Sequence, residues 1–244
     1  IVMEATERII GVSLGPGDPE LITLKGLNAL QQADVIFCPA TNVAGGETKS
    51  RALDILKALP VELTKIQLYQ IPMSQSRTEA IVAYDNVFEQ IVSFVAEDKT
   101  VALVAEGDAC FYSSANYLYE KLDRAGFPIK MVAGVPAFIA ASSSIGLHLV
   151  KQQERMVVIP GDVLVDELLE SVVLKRTLVI MKVSLGEAIL RPFIIRHPEL
   201  EFHYFENIGT PKEYRTSKVD EILARPFIYF SILIIRAKTG NDRL

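Results

Sequence analysis

Short unbroken runs of apolar residues alternate along the first half of the chain with stretches where apolar positions recur every three or four residues. Ile9, Ile10, Val12 and Leu14 form the first run, and Leu24, Leu27 and Leu30 the first stripe. The pattern predicts a buried strand and an amphipathic helix, with Thr23 as the helix N-cap and a second strand from Val35. Ala52 to Leu59 reads as a helix stopped by Pro60, followed by an extended segment through Val61, Leu63, Ile66 and Leu68. The clearest helix is Glu79 to Glu97, with Ile81, Tyr84, Phe88, Ile91 and Val95 on one stripe. Val101 to Ala105 is apolar without interruption, as in a strand covered on both faces. A helix capped by Ser113 or Ser114 and stopped by Gly126, a strand over Ile129 to Val132, and a helix from Pro136 to Gly146 complete this half.

Strand and helix alternating in this way predict a mainly parallel sheet. The second half has a different rhythm. Met156 to Ile159, Leu178 to Met181, Phe202 to Phe205 and Phe227 to Ile235 read as strands. The segments Asp166 to Val173 and Leu185 to Ile195, the latter containing Pro192, read as less regular. The expected architecture is α/β with two domains, residues 1–140 and 141–244, the second built on a smaller mixed sheet.

Composition narrows the function classes. Half of the 244 residues are hydrophobic, enough for a substantial core. The net charge of -5, with no block of Lys and Arg, argues against a nucleic-acid partner. Phe227 to Ile235 is too short to span a bilayer, so no membrane partner is expected. The opening residues carry no secretory-leader pattern. Two widely spaced cysteines, Cys38 and Cys110, match no zinc spacing and predict buried thiols in a reducing cytoplasm. The three histidines lack ligand spacing, so no metal site is expected.

The candidate chemistry gathers in three turns, each at the carboxyl end of a predicted strand, where parallel α/β sheets bind ligands. They are Gly15 to Asp18, Glu106 to Phe111, and Gly134 to Ala137. The spacing Gly11-x3-Gly15-x-Gly17 is neither a dinucleotide fingerprint nor a phosphate loop. It is read either as a place where a ligand approaches bare backbone or as a tight turn. Asp108 is read either as a helix cap or as a carboxylate touching a ligand, and Glu106 as a rim residue. Of Tyr112, Tyr117 and Tyr119, at least one belongs to the core, and Tyr112 is placed to line a pocket. No nucleophile motif is present. This favours reactants that bring their own reactivity and a protein that positions them, with no catalytic side chain assigned.

Gly15-Pro16-Gly17-Asp18-Pro19-Glu20-Leu21-Ile22-Thr23-Leu24-Lys25-Gly26, followed by Ala33-Asp34-Val35-Ile36, resembles the opening signature of the tetrapyrrole methylases. Later stretches point within that family to the branch that methylates C-20 of precorrin-2 or its cobalt form in cobalamin biosynthesis. They are Lys49-Ser50-Arg51-Ala52-Leu53, Ile71-Pro72-Met73, Gly107-Asp108 with Phe111-Tyr112-Ser113, Ala133 to Phe138, Val158 to Gly161, Met181-Lys182-Val183 and Tyr229-Phe230-Ser231. The resemblance implies a homodimer of two-domain α/β chains, with folded S-adenosylmethionine in the cleft between domains. Carried over by position, it implies that Pro16, Glu106, Gly107, Asp108, Phe111, Pro136 and Ala137 line the cofactor, with Met181 and Gly209 closing the site from the second domain. By the same motifs, Arg51, Tyr112 and Lys182 meet the tetrapyrrole, Arg51 and Lys182 being read otherwise as solvated surface charges. Three positions depart from the family pattern: Ala109 and Ala133 stand where relatives carry proline, and Pro136 where they carry a small hydroxyl residue. Methylation at another ring carbon, and binding of S-adenosylmethionine or a tetrapyrrole without turnover, are the alternatives.

Overall fold

The computed structural model describes residues 8–42, 48–70 and 77–238. Ile71-Pro72-Met73, read above from the sequence, lies outside them. The chain divides into two compact units, Ile1–Pro136 and Ala137–Leu244.

In the first unit, β1 (Ile9–Ser13) lies between β5 (Val101–Ala105) and β6 (Ile129–Val132), parallel to both. β5 continues the sheet to β2 (Val35–Asn42), and β2 to β4 (Ile66–Gln70), again in parallel. A two-residue strand, β3 (Thr48–Lys49), folds back antiparallel on the end of β2. Helices cover both faces. Val12, Leu14, Ile36 and Val104 pack with Leu30 of α1 (Leu24–Gln32) and Leu56 of α2 (Arg51–Ala58). Phe37, Val101 and Leu103 pack with Ile91 of α3 (Arg77–Ala96) and with Leu118 and Leu122 of α4 (Asn116–Arg124). All five residues of β5 are buried, so each contributes to one core or the other. Complete burial of a side chain such as Leu103 contributes about 1.5–3 kcal/mol.

Several local expectations change. Thr23 does cap α1, its hydroxyl accepting from Gly26 N–H at 3.0 Å. Leu24, however, is exposed; the buried face runs through Gly26, Ala29 and Leu30, where small residues let the helix sit close to the sheet. Leu63 falls in a 3-10 turn, Leu63–Lys65, before β4. Neither serine caps α4: its cap position is Ala115, and Ser113 Oγ accepts the Ala115 N–H at 3.3 Å, one step ahead of the helix. Cys38 is buried as expected, but Cys110 is exposed because it follows the strand end and lies in the turn itself.

The second unit opens with α5 (Ala137–Ser144) and carries a mixed sheet ordered β10-β9-β11-β8-β7. These strands are β7 (Met156–Ile159), β8 (Thr177–Met181), β9 (Leu200–Glu206), β10 (Tyr214–Thr216) and β11 (Ser231–Ala237). Only β7 and β8 run parallel. The segments expected to be irregular are helical: α6 (Val165–Val173) and α7 (Glu187–Arg196), joined later by the short α8 (Val219–Ala224). α7 keeps Pro192 in its interior, although proline there costs about 3 kcal/mol. Burial of Leu190, Phe193 and Ile194 offsets this. So does Arg191, which donates to Leu223 O at 2.7 Å and stacks on Phe227. The last strand starts at Ser231, since Phe227 to Phe230 form the loop leading into it.

Candidate functional site

Glycine at 15 and 107 ties the first two turns together. Gly15 N–H donates to Gly107 O at 3.1 Å, and Gly107 N–H returns to Gly15 O at 2.7 Å. Both residues have positive φ, +80° and +65°, which a side chain would strain. A Cβ on Gly107 would meet nothing within 4 Å among the described residues, so this stretch presents bare main chain. Gly17, at φ +150°, leads to Asp18, whose carboxylate accepts Glu20 N–H at 2.9 Å and caps the Pro19–Leu21 turn.

Asp108 locks the second turn to the third. One carboxylate oxygen accepts Cys110 N–H and the other Gly134 N–H, each at 2.8 Å. It therefore caps its own turn rather than α4. Beside it, Ala109 N–H donates to the fully buried Ser13 Oγ at 2.8 Å. Gly134 closes the packing: a Cβ there would lie 2.4 Å from Ser13 Cβ and 2.7 Å from Gly107 O. Pro136 and Ala137 follow directly, at the start of α5.

Arg51 enters from the first turn of α2, where Ser50 Oγ accepts Leu53 N–H at 2.9 Å and donates to Pro39 O at 2.6 Å. Its Nε donates to Glu106 Oε2 at 3.0 Å, and an Nη reaches Pro16 O at 3.4 Å. One guanidinium thus bridges the first two turns. Burial pushes the Glu106 carboxyl above its ordinary range, with Arg51 pulling the other way. Under the same helix, burial pushes the Cys38 thiol up to about 11, so it is inert at neutral pH. The rings of Phe111 and Tyr112 meet edge to face at 4.8 Å, with Tyr112 in the left-handed region at φ +50° and half exposed. Tyr119 supplies the core tyrosine, and Tyr117 is exposed.

The predicted residues of the second unit gather at one end of its sheet. Lys182 follows β8 at φ +54°, and its N–H donates to Ser231 O at 3.0 Å. Its ammonium lies 5.4 Å from the centre of the Tyr229 ring. Gly209, at φ +74°, stands in the loop after β9, where its N–H donates to Glu213 at 2.9 Å. Asn207 N–H in that loop donates to Phe230 O at 2.9 Å. Met181, Lys182 and Gly209 therefore hang on the Tyr229-Phe230-Ser231 loop, a motif visible in the sequence without an assigned role. Gly161 belongs to the same end: a Cβ there would lie 3.0 Å from Met181 O. Ser13 had no signal beyond a hydroxyl inside an apolar run.

The chain matches the family described as Tetrapyrrole (Corrin/Porphyrin) Methylases over residues 8–223. The chain belongs to the tetrapyrrole methylases. A relative from Sinorhizobium sp named precorrin-2 C(20)-methyltransferase is 30% identical over 232 residues, 93% of this chain and 94% of the relative. A Salmonella typhimurium protein named cobalt-precorrin-2 C(20)-methyltransferase is 27% identical over 93% of this chain and 95% of its own. Among solved structures, a uroporphyrin-III C-methyltransferase from Thermus thermophilus, complexed with S-adenyl homocysteine, superposes with a TM-score of 0.63. It is 21% identical, covers 94% of this chain and is itself covered over 97%. This methylase shares the two-sheet α/β fold of that structure.

Proposed function

We propose that the chain transfers the methyl group of S-adenosylmethionine to C-20 of precorrin-2, or of its cobalt form, in cobalamin biosynthesis. What carries the reading is full-length similarity to relatives named for that reaction. The open space beside Gly107 fits close approach of a small ligand to the main chain. On this reading Pro16, Glu106, Gly107, Asp108, Phe111, Pro136 and Ala137 line the cofactor, and Met181 and Gly209 complete its surroundings. Bound there, S-adenosylmethionine supplies a methyl group on a positively charged sulfur that is already a good leaving group.

The nucleophile is the macrocycle's own electron-rich carbon, so the chain's work is orientation and exclusion of water. Asp108 contributes by holding the second and third turns in register. Arg51 braces the first two turns and brings positive charge to the rim, where carboxylates of the macrocycle dock. Lys182 and Tyr112 offer a cation and an exposed aromatic face to the same substrate. The protein acts as a homodimer in the cytoplasm.

Calorimetric titration with S-adenosylhomocysteine tests the cofactor assignment. The wild type is expected to bind in the micromolar range and Asp108→Ala about tenfold more weakly, a loss of about 1.4 kcal/mol. Anaerobic incubation with precorrin-2 is expected to give the C-20 methylated product. Methylation of only a later intermediate, or no binding by the folded wild type, overturns the reading.

A further inference from the structure

Helix α6 turns an apolar stripe to solvent. Leu168 and Ser171 are buried beneath it, whereas Val165 (48%), Leu169 (40%) and Val173 (79%) are exposed at successive four-residue steps. Leu164 (64%) and Leu174 (50%) extend the exposure at the two ends. A stripe of this kind on a chain that folds without covering it marks an interaction surface.

Charge on α6 chooses the occupant. A two-fold axis through Leu169 lays this helix antiparallel on a copy of itself, so that Val165 of each copy meets Val173 of the other and Leu164 meets Leu174. Asp162 and Asp166 stand at the start of the helix, and Lys175 and Arg176 follow its end. Antiparallel docking sets the acidic start of each copy beside the basic end of the other, so the charges favour this orientation and disfavour the parallel one. Within its own chain Arg176 lies 3.7 Å from Glu170.

We propose that α6 is a two-fold interface between copies of this chain, centred on Leu169. This goes beyond the homodimer stated above by naming the surface, and it does not depend on which carbon is methylated.

The full chain is examined by light scattering and sedimentation velocity. The wild type is expected to run as a dimer. Leu169→Glu places two like charges face to face on the axis and is expected to weaken association by at least about a hundredfold. Residue 169 is exposed, so the variant should keep the far-ultraviolet circular dichroism and S-adenosylhomocysteine binding of the wild type. Register is read by oxidation in a Cys110→Ser background, since Cys110 is itself exposed. Leu169→Cys is expected to link to its own copy. Val165→Cys and Val173→Cys should each fail alone and link when the two chains are mixed. A monomeric wild type, a Leu169→Glu variant that remains a dimer, or linkage of Val165→Cys to itself overturns the proposal.

Discussion

Both carboxylate oxygens of Asp108 hold main-chain amides, so in the proposed site this residue shapes the rim more than it offers a charge. Ala109 shows the same economy. A proline at this position lacks the N–H that now reaches Ser13 Oγ inside the core. Alanine keeps the backbone N–H that the buried hydroxyl accepts. Ala109→Pro is expected to cost about 1–3 kcal/mol in urea unfolding. Adding Ser13→Ala to that variant should cost little more, because the two residues share one interaction. The glycines at 15 and 17 were legible in the sequence as turn residues, which their positive φ bears out. Ser13 was not, because its partner is an amide far along the chain, and sequence does not display such pairs.

Elements with long apolar runs were legible from pattern alone. β5 and β8 were recognised because strands buried on both faces leave almost no polar gaps. β1 and β6 were read through a single polar residue each, Ser13 and Lys130. β10 and α8, three and six residues long, were missed because so short a segment shows no period. α7 was misjudged because tertiary packing overrode the local cost of Pro192. The stripe of α1 was misplaced for a related reason: apolar size pointed to Leu24, but close packing selected Gly26 and Ala29. At this scale the Arg51–Glu106 pair is a strut from α2 to the end of β5. Its carboxylate titrates unusually. Burial raises Glu106 above 4.5, so the folded chain holds that proton to higher pH than the unfolded chain does. Its contribution to stability is fully present below the ordinary glutamate value and is lost as pH rises through the higher folded value. Glu106→Gln does not titrate there. Denaturant unfolding at about pH 4 and about pH 7 should show the stability difference moving in favour of the variant as pH rises.

Across the whole molecule, a net charge of -5 has to coexist with the carboxylate-rich substrate proposed above. Attraction must come from a few local cations against an unfavourable overall field, so substrate affinity is expected to fall severalfold between about 0.05 and 0.5 M salt. S-adenosylhomocysteine, held largely through backbone on the proposed reading, should bind almost equally in both. Comparative calorimetry of the two ligands checks this. The pairing of Gly15 with Gly107 adds a consequence for time rather than affinity. Loop amides ordinarily trade their hydrogens with water quickly, because fraying exposes them. Here two loop residues exchange both N–H···O bonds just past the ends of two neighbouring strands, β1 and β5. In deuterated solvent, with no ligand present, Gly15 and Gly107 should therefore keep their protium as long as the strands behind them. The clock of the binding rim is then set by the core, and the incoming molecule meets a surface that does not wait to be assembled.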